Sequence, residues 1–174
     1  MILNVVIEEI LEEFLSDYDK RIYGRSISKK LKRNQKTISN TLKRLEKENI
    51  LKFSQEGKNK YYFLNKFNQN LIEIIKLIEI TRKLRFLSRY KKFRELFNKL
   101  EQKTQGILII FGSYAKGTAN DRSDMDLFVV GKIKEVEDLE NTYNIKINLI
   151  KSDKYKFDKK EHIIEEIIKN HVIL

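Results

Sequence analysis

The residues best suited to chemistry lie between Phe111 and Val130, in the run F-G-S-Y-A-K-G-T-A-N-D-R-S-D-M-D-L-F-V-V. A short apolar run, Ile107 to Ile110, precedes them and reads as a buried strand that delivers a loop. Gly112 and Ser113 open that loop and Gly117 closes it, so backbone N–H groups can approach phosphate oxygens without interference from Cβ atoms. Asp124 and Asp126 stand two residues apart where a second apolar run begins, Leu127 to Val130. On an extended strand residues i and i+2 share a face. Two carboxylates on one face repel unless a cation lies between them. A phosphate-holding loop beside such a pair is what metal-assisted phosphoryl or nucleotidyl transfer requires.

The elements that must position these residues are short and alternate between strand and helix. Ile145 to Ile150 alternates so that Lys146, Asn148 and Ile150 share a face, and it is expected to form a third strand. Lys132 to Glu140 is polar and reads as a loop running into a short helix, and His162 to Ile173 carries an isoleucine stripe at helical spacing that would cover the sheet. Phe157 would anchor the segment before it.

The pattern G-S-x-A-x-G followed by S-D-x-D-L, each next to an apolar strand, resembles the minimal nucleotidyltransferases of the DNA polymerase beta-like superfamily. Gly112, Ser113, Ala115, Gly117, Ser123, Asp124, Asp126 and Leu127 carry the resemblance, which extends over about residues 105 to 174. It implies that Gly112, Ser113, Lys116, Gly117 and Ser123 bind the nucleotide, with the phosphates of ATP or another nucleoside triphosphate at Gly112 and Ser113. It also implies that Asp124 and Asp126 are catalytic and bind Mg²⁺, with room for two ions. Lys116 either offsets phosphate charge or faces solvent. Members of the superfamily place a third carboxylate on a following strand. Asn148 stands there instead, as a weak Mg²⁺ ligand that cannot take a proton at neutral pH. Asp121, Asp153 and Asp158 are candidates to replace the acid, though none lies on that strand.

The front of the chain has a different character. Residues 19 to 67 hold fifteen Lys or Arg against four acids, so their surplus equals the net charge of +11 of the whole chain, while residues 104 to 174 hold eleven against twelve. A basic module ahead of a near-neutral one assigns any nucleic-acid contact to the front. Apolar residues Ile2, Val5, Val6, Ile10, Leu11, Phe14 and Leu15 predict a first helix, Ser26 an N-cap for a second through Leu31, and Ile38, Leu42 and Leu45 a third over about 37 to 48. Ile50 to Phe53 and Tyr61 to Leu64 read as a hairpin bent at Gly57. Three helices and a basic hairpin resemble a winged helix-turn-helix domain. The outward residues Lys36, Thr37, Ser39, Asn40, Lys43 and Arg44 would enter a DNA groove, and Lys58 and Lys60 at the hairpin tip would rest on adjacent backbone.

The expected fold is α+β: a winged helix over residues 1–67, a helical connector over 68–86, and a small mixed sheet with flanking helices over 87–174. Residues 68 to 103 lack Gly and Pro and predict one or two long helices, with a bend or exposed face at the basic cluster Arg82 to Arg94. Their apolar stripe would pair with its copy in a homodimer or pack on the chain's own domains. The chain has no cysteine, which excludes disulfides and thiolate metal sites. It has no run long enough to span a bilayer and no basic start of a secretory signal, so a cytoplasmic protein is expected. The functional expectation is transfer of a nucleotide to a hydroxyl on a protein or small molecule, coupled to DNA binding, as in toxin–antitoxin pairs. The alternatives are a regulator that binds nucleotide without turnover, and a protein-interaction adaptor.

Overall fold

The computed structural model describes residues 4–153 and 162–174. Ile2, Phe157 and Asp158 lie outside the described residues. The described residues form eight α-helices and two small sheets, and the chain divides into two compact units, 1–78 and 79–174.

In the first unit, α1 (Val5–Glu12) starts where the Asn4 side chain accepts a hydrogen bond from the Ile7 N–H. The second helix, α2 (Gly24–Lys30), begins two residues before the expected cap. Ser26 lies inside it, with its hydroxyl donating to the Tyr23 carbonyl, and is not the N-cap. Helix α3 (Gln35–Lys47) is capped by Asn34, whose side chain accepts from the Lys36 N–H, so Gln35 and Lys36 of the expected turn over 33–36 already belong to the helix. Ile38, Leu42 and Leu45 are buried on its inner stripe. Strands β2 (Leu51–Glu56) and β3 (Asn59–Leu64) form the hairpin, longer at both strands than their apolar cores. The sequence reading missed β1 (Ile22–Tyr23), a two-residue strand pairing Ile22 with Tyr62 and Tyr23 with Tyr61, so the sheet has three strands in the order β1-β3-β2.

The boundary between units falls inside α4 (Leu71–Arg89): Ile78 is in the core of the first unit and Phe86 in that of the second. A single 3-10 turn, Lys91–Phe93, separates α4 from α5 (Arg94–Lys103).

The second unit is built on a four-stranded mixed sheet in the order β6-β5-β4-β7. The central pair, β4 (Thr104–Phe111) and β5 (Met125–Ile133), is antiparallel, and β6 (Ile147–Ser152) runs parallel to β5. β6 starts at Ile147, so Ile145 and Lys146, expected within the third strand, precede it. Alternation along the strands splits the core in two. Leu108, Ile110, Met125, Leu127 and Val129 face Leu96, Phe97 and Leu100 of α5 and Leu139 of α7 (Glu137–Tyr143). Ile109, Phe111 and Phe128 face Ile164 and Ile167 of α8 (His162–Lys169). The expected helix through Ile173 stops at Lys169. Val172 and Ile173 instead form β7 and pair with Ile110 and Ile109 at the free edge of β4. The polar stretch expected to begin at Lys132 is still strand as far as Ile133.

Candidate active site

β4 ends at Phe111, and the chain does not enter a loop there. Gly112–Lys116 form a short helix, α6, closed by Gly117 in the left-handed conformation at φ +73°. The Gly117 and Thr118 N–H groups donate to the Tyr114 and Ser113 carbonyls, which satisfies the helix end within the segment itself. Two glycines are needed here for different reasons. Gly112 has φ +66°, and a Cβ on it would stand 2.2 Å from Asp126 Oδ2. A Cβ on Gly117 would stand 1.6 Å from a guanidinium nitrogen of Arg89, which therefore reaches the far end of α6.

Asp126 is the second residue of β5, and Asp124 precedes that strand by one residue. Asn148 of β6 is the register partner of Asp126. Its amide Nδ2 donates to Asp126 Oδ1 at 3.0 Å and reaches Asp124 Oδ2 at 3.4 Å. Lys146 Nζ lies 3.3 Å from the same Asp124 oxygen. Both carboxylates therefore converge on one point, filled on one side by the amide and on the other by an ammonium, and Gly112 borders them. The donor set suits a hard divalent cation: carboxylate oxygens, an amide oxygen once the Asn148 side chain turns over, and phosphate oxygens from a ligand. Among the described residues no group of three or more His, Cys, Asp or Glu side chains could hold a metal ion, so such an ion would depend on the ligand for part of its shell.

The other candidates are dispersed. Lys116 Nζ is 2.6 Å from Glu166 Oε1 on α8, and this hydrogen bond, followed by the charge of Lys116, lowers the Glu166 pKa. The Ser123 hydroxyl accepts from the Asn120 N–H at 2.9 Å and shapes the turn before the carboxylates. Asp121 is exposed and held by Lys92 at 2.8 Å, and Asp153 is exposed just past the end of β6. Neither joins the carboxylate pair. The phenol of Tyr114, whose ring is tilted against that of Tyr90 with centroids 5.1 Å apart, has its pKa raised by burial first and then by Tyr90, Asp121 and Asp124. Three neighbours of the site received no role from the sequence: Arg89 against Gly117, Lys146 on Asp124, and Glu166 on Lys116. Only Lys146 left a signal, since it shares its alternation phase with Asn148.

In the first unit, Lys36, Thr37, Asn40, Lys43 and Arg44 are exposed on α3 and Ser39 is half-buried. Arg44 bonds Glu48 at 2.9 Å along the helix, Lys58 is exposed at the hairpin turn, and Lys60 Nζ sits 3.5 Å over the Phe53 ring.

The mixed sheet thus presents two carboxylates at the start of one strand, beside a glycine-bounded helix at the end of its neighbour. Residues 90–173 match the family model of the nucleotidyltransferase domain, which supports a general nucleotidyl-transfer function for the second unit. Comparison with curated proteins gives no match. Among the described residues no helix is long and apolar enough to cross a membrane.

Proposed function

We propose that the chain is a Mg²⁺-dependent nucleotidyltransferase that moves the nucleoside monophosphate of a triphosphate, ATP foremost, onto a hydroxyl of a protein or small molecule. Its first unit is a winged helix that docks on DNA, and the protein works in the cytoplasm in the manner of a toxin–antitoxin pair. One observation carries the catalytic part: Asp124 and Asp126 converge within hydrogen-bond distance of a single amide group while Gly112 keeps the space beside Asp126 clear of side chain.

Asp124 and Asp126 would hold a Mg²⁺ ion, which when bound would supply charge to polarise the α-phosphate and to offset the charge developing on the leaving group. The backbone of Gly112 and Ser113 steadies the terminal phosphates, and Gly117 closes the segment that presents them. The acceptor oxygen attacks the α-phosphorus and forms the new P–O bond, the bond to the bridging oxygen breaks, and pyrophosphate leaves with its electron pair. Asn148 offers no base, so the hydroxyl proton passes to water. Lys116 is drawn toward Glu166, and it reaches phosphate only after releasing that carboxylate.

The winged-helix reading draws support from the order of three helices and a hairpin, from the outward polar and basic face of α3, and from the basic surplus of residues 19 to 67. A second reading, a DNA-binding regulator that senses nucleotide without turnover, is favoured by Asn148 in place of an acid. ATP labelled at the α-phosphate, incubated with Mg²⁺ and cell extract, separates the two. The enzyme transfers the α label but not the γ label, and loses transfer in Asp126→Asn. Retention of both labels on the protein without transfer establishes the sensor.

A further inference from the structure

Two residues, one in β6 and one just ahead of it, bear on how many ions the centre takes. Asn148 is locked in register opposite Asp126, so backbone pairing holds its amide between the carboxylates. Lys146, two residues earlier, brings a permanent positive charge to Asp124. Two divalent ions in a phosphotransfer centre lie about 3.5–4 Å apart and repel each other, and they are held by carboxylates that bridge and flank them. Here the anionic ligands are two, and Lys146 cancels one of them. The protein's formal contribution is thus −1, against +2 for one ion and +4 for two.

No other acid stands ready to make up the difference among the described residues: Asp121 is held by Lys92, and Asp153 lies exposed beyond the strand. One ion, however, is well served. Turning the Asn148 amide over presents its carbonyl oxygen to the same point the two carboxylates face, and the side chain of Lys146, 69% exposed, is free to swing from Asp124 toward phosphate.

We propose that this centre holds a single divalent cation with its triphosphate, that Asn148 is the residue that excludes a second, and that Lys146 competes with the first for Asp124. The inference rests on the nucleotidyl-transfer reading and fails separately from it. The full-length chain is dialysed against Mn²⁺ and a triphosphate whose α,β-bridging oxygen is replaced by methylene. Bound metal is counted per bound nucleotide, and the electron paramagnetic resonance spectrum distinguishes an isolated Mn²⁺ from an exchange-coupled pair.

The wild type is expected to bind one ion with an uncoupled spectrum. Asn148→Asp is expected to bind two, with the coupled signal. Lys146→Met is expected to keep one ion and to bind it about two- to five-fold more tightly, the scale of an exposed ion pair removed as competitor. Two coupled ions in the wild type overturn the proposal but leave nucleotidyl transfer standing. A metal count that is unchanged by Asp126→Asn overturns both. Should Asn148→Asp fail to fold, the wild-type count and Lys146→Met decide the question. A folded Asn148→Asp that still takes one ion refutes the role given to Asn148.

Discussion

Replacing Gly112 by alanine tests the site where backbone and carboxylate meet. At φ +66° an L-residue costs about 1–2 kcal/mol relative to glycine. The new Cβ would also stand 2.2 Å from Asp126 Oδ2 and 3.1 Å from its Cγ, so the carboxylate must rotate away and give up its bond from Asn148. A hydrogen bond to a charged group contributes about 1.5–3 kcal/mol. Alanine recovers roughly 0.4–1 kcal/mol through the unfolded chain, leaving a net destabilisation of about 2–4 kcal/mol. For a unit of this size each kcal/mol lowers the midpoint by about 4–8 °C, so a fall of roughly 8–30 °C is expected in thermal unfolding followed by circular dichroism. Gly57→Ala supplies the control. Its φ of +59° imposes the same backbone cost, yet a Cβ there meets nothing within 4 Å. The excess of Gly112→Ala over Gly57→Ala isolates the displaced carboxylate. Equal losses in the two variants, together with unchanged Mg²⁺–triphosphate affinity in Gly112→Ala, would refute the close packing of Asp126 on this glycine.

Three further outcomes are expected. Asp126→Asn removes one anionic ligand and should abolish Mg²⁺-dependent triphosphate binding in calorimetry while leaving the fold intact. Arg44→Ala together with Lys43→Ala should eliminate a gel shift on DNA; an unchanged shift removes α3 from the groove. Burial pushes the pKa of Glu79 up, but the hydrogen bond from His171 and the charge of Arg82 outweigh it, so the folded value lies below the ordinary 4.5. The unfolded chain therefore binds more protons in this window, and stability contributed by Glu79 is present above pH 4.5 and lost as pH falls through the folded value. The urea-midpoint gap between wild type and Glu79→Gln should narrow as pH drops from 6 to about 3, and a widening gap contradicts the assignment.

Where the apolar pattern was long, the sequence was legible. The stripe of Ile38, Leu42 and Leu45 carries enough periodicity to specify its face before any tertiary contact is known, and the unbroken apolar runs at Ile107 and Leu127 mark strands buried on both sides. The carboxylate pair was legible for the same reason, although Asp124 precedes the strand and reaches Asn148 from the adjoining turn. What escaped depends on distant partners. β1 and β7 are two residues each, and they are strands only because Tyr61–Tyr62 and Ile109–Ile110 offer them an edge. Val172 continues the helical spacing of the α8 isoleucines, so nothing local marks the change after Lys169. The segment Gly112–Lys116 reads as loop because glycines bound it, yet Gly117 in the left-handed region is what ends a helix there. Lys116 meets Glu166 fifty residues away, and no spacing rule foretells that pair. The division between units likewise falls inside an unbroken helix, with no Gly or Pro to mark it.

A crystal structure of the full chain with Mg²⁺ and a nonhydrolysable triphosphate addresses the account at its centre. The expected density is a divalent ion touching oxygens of both Asp124 and Asp126, with terminal phosphates against the backbone of Gly112 and Ser113. A triphosphate bound elsewhere, or an ion that ignores either aspartate, would contradict it.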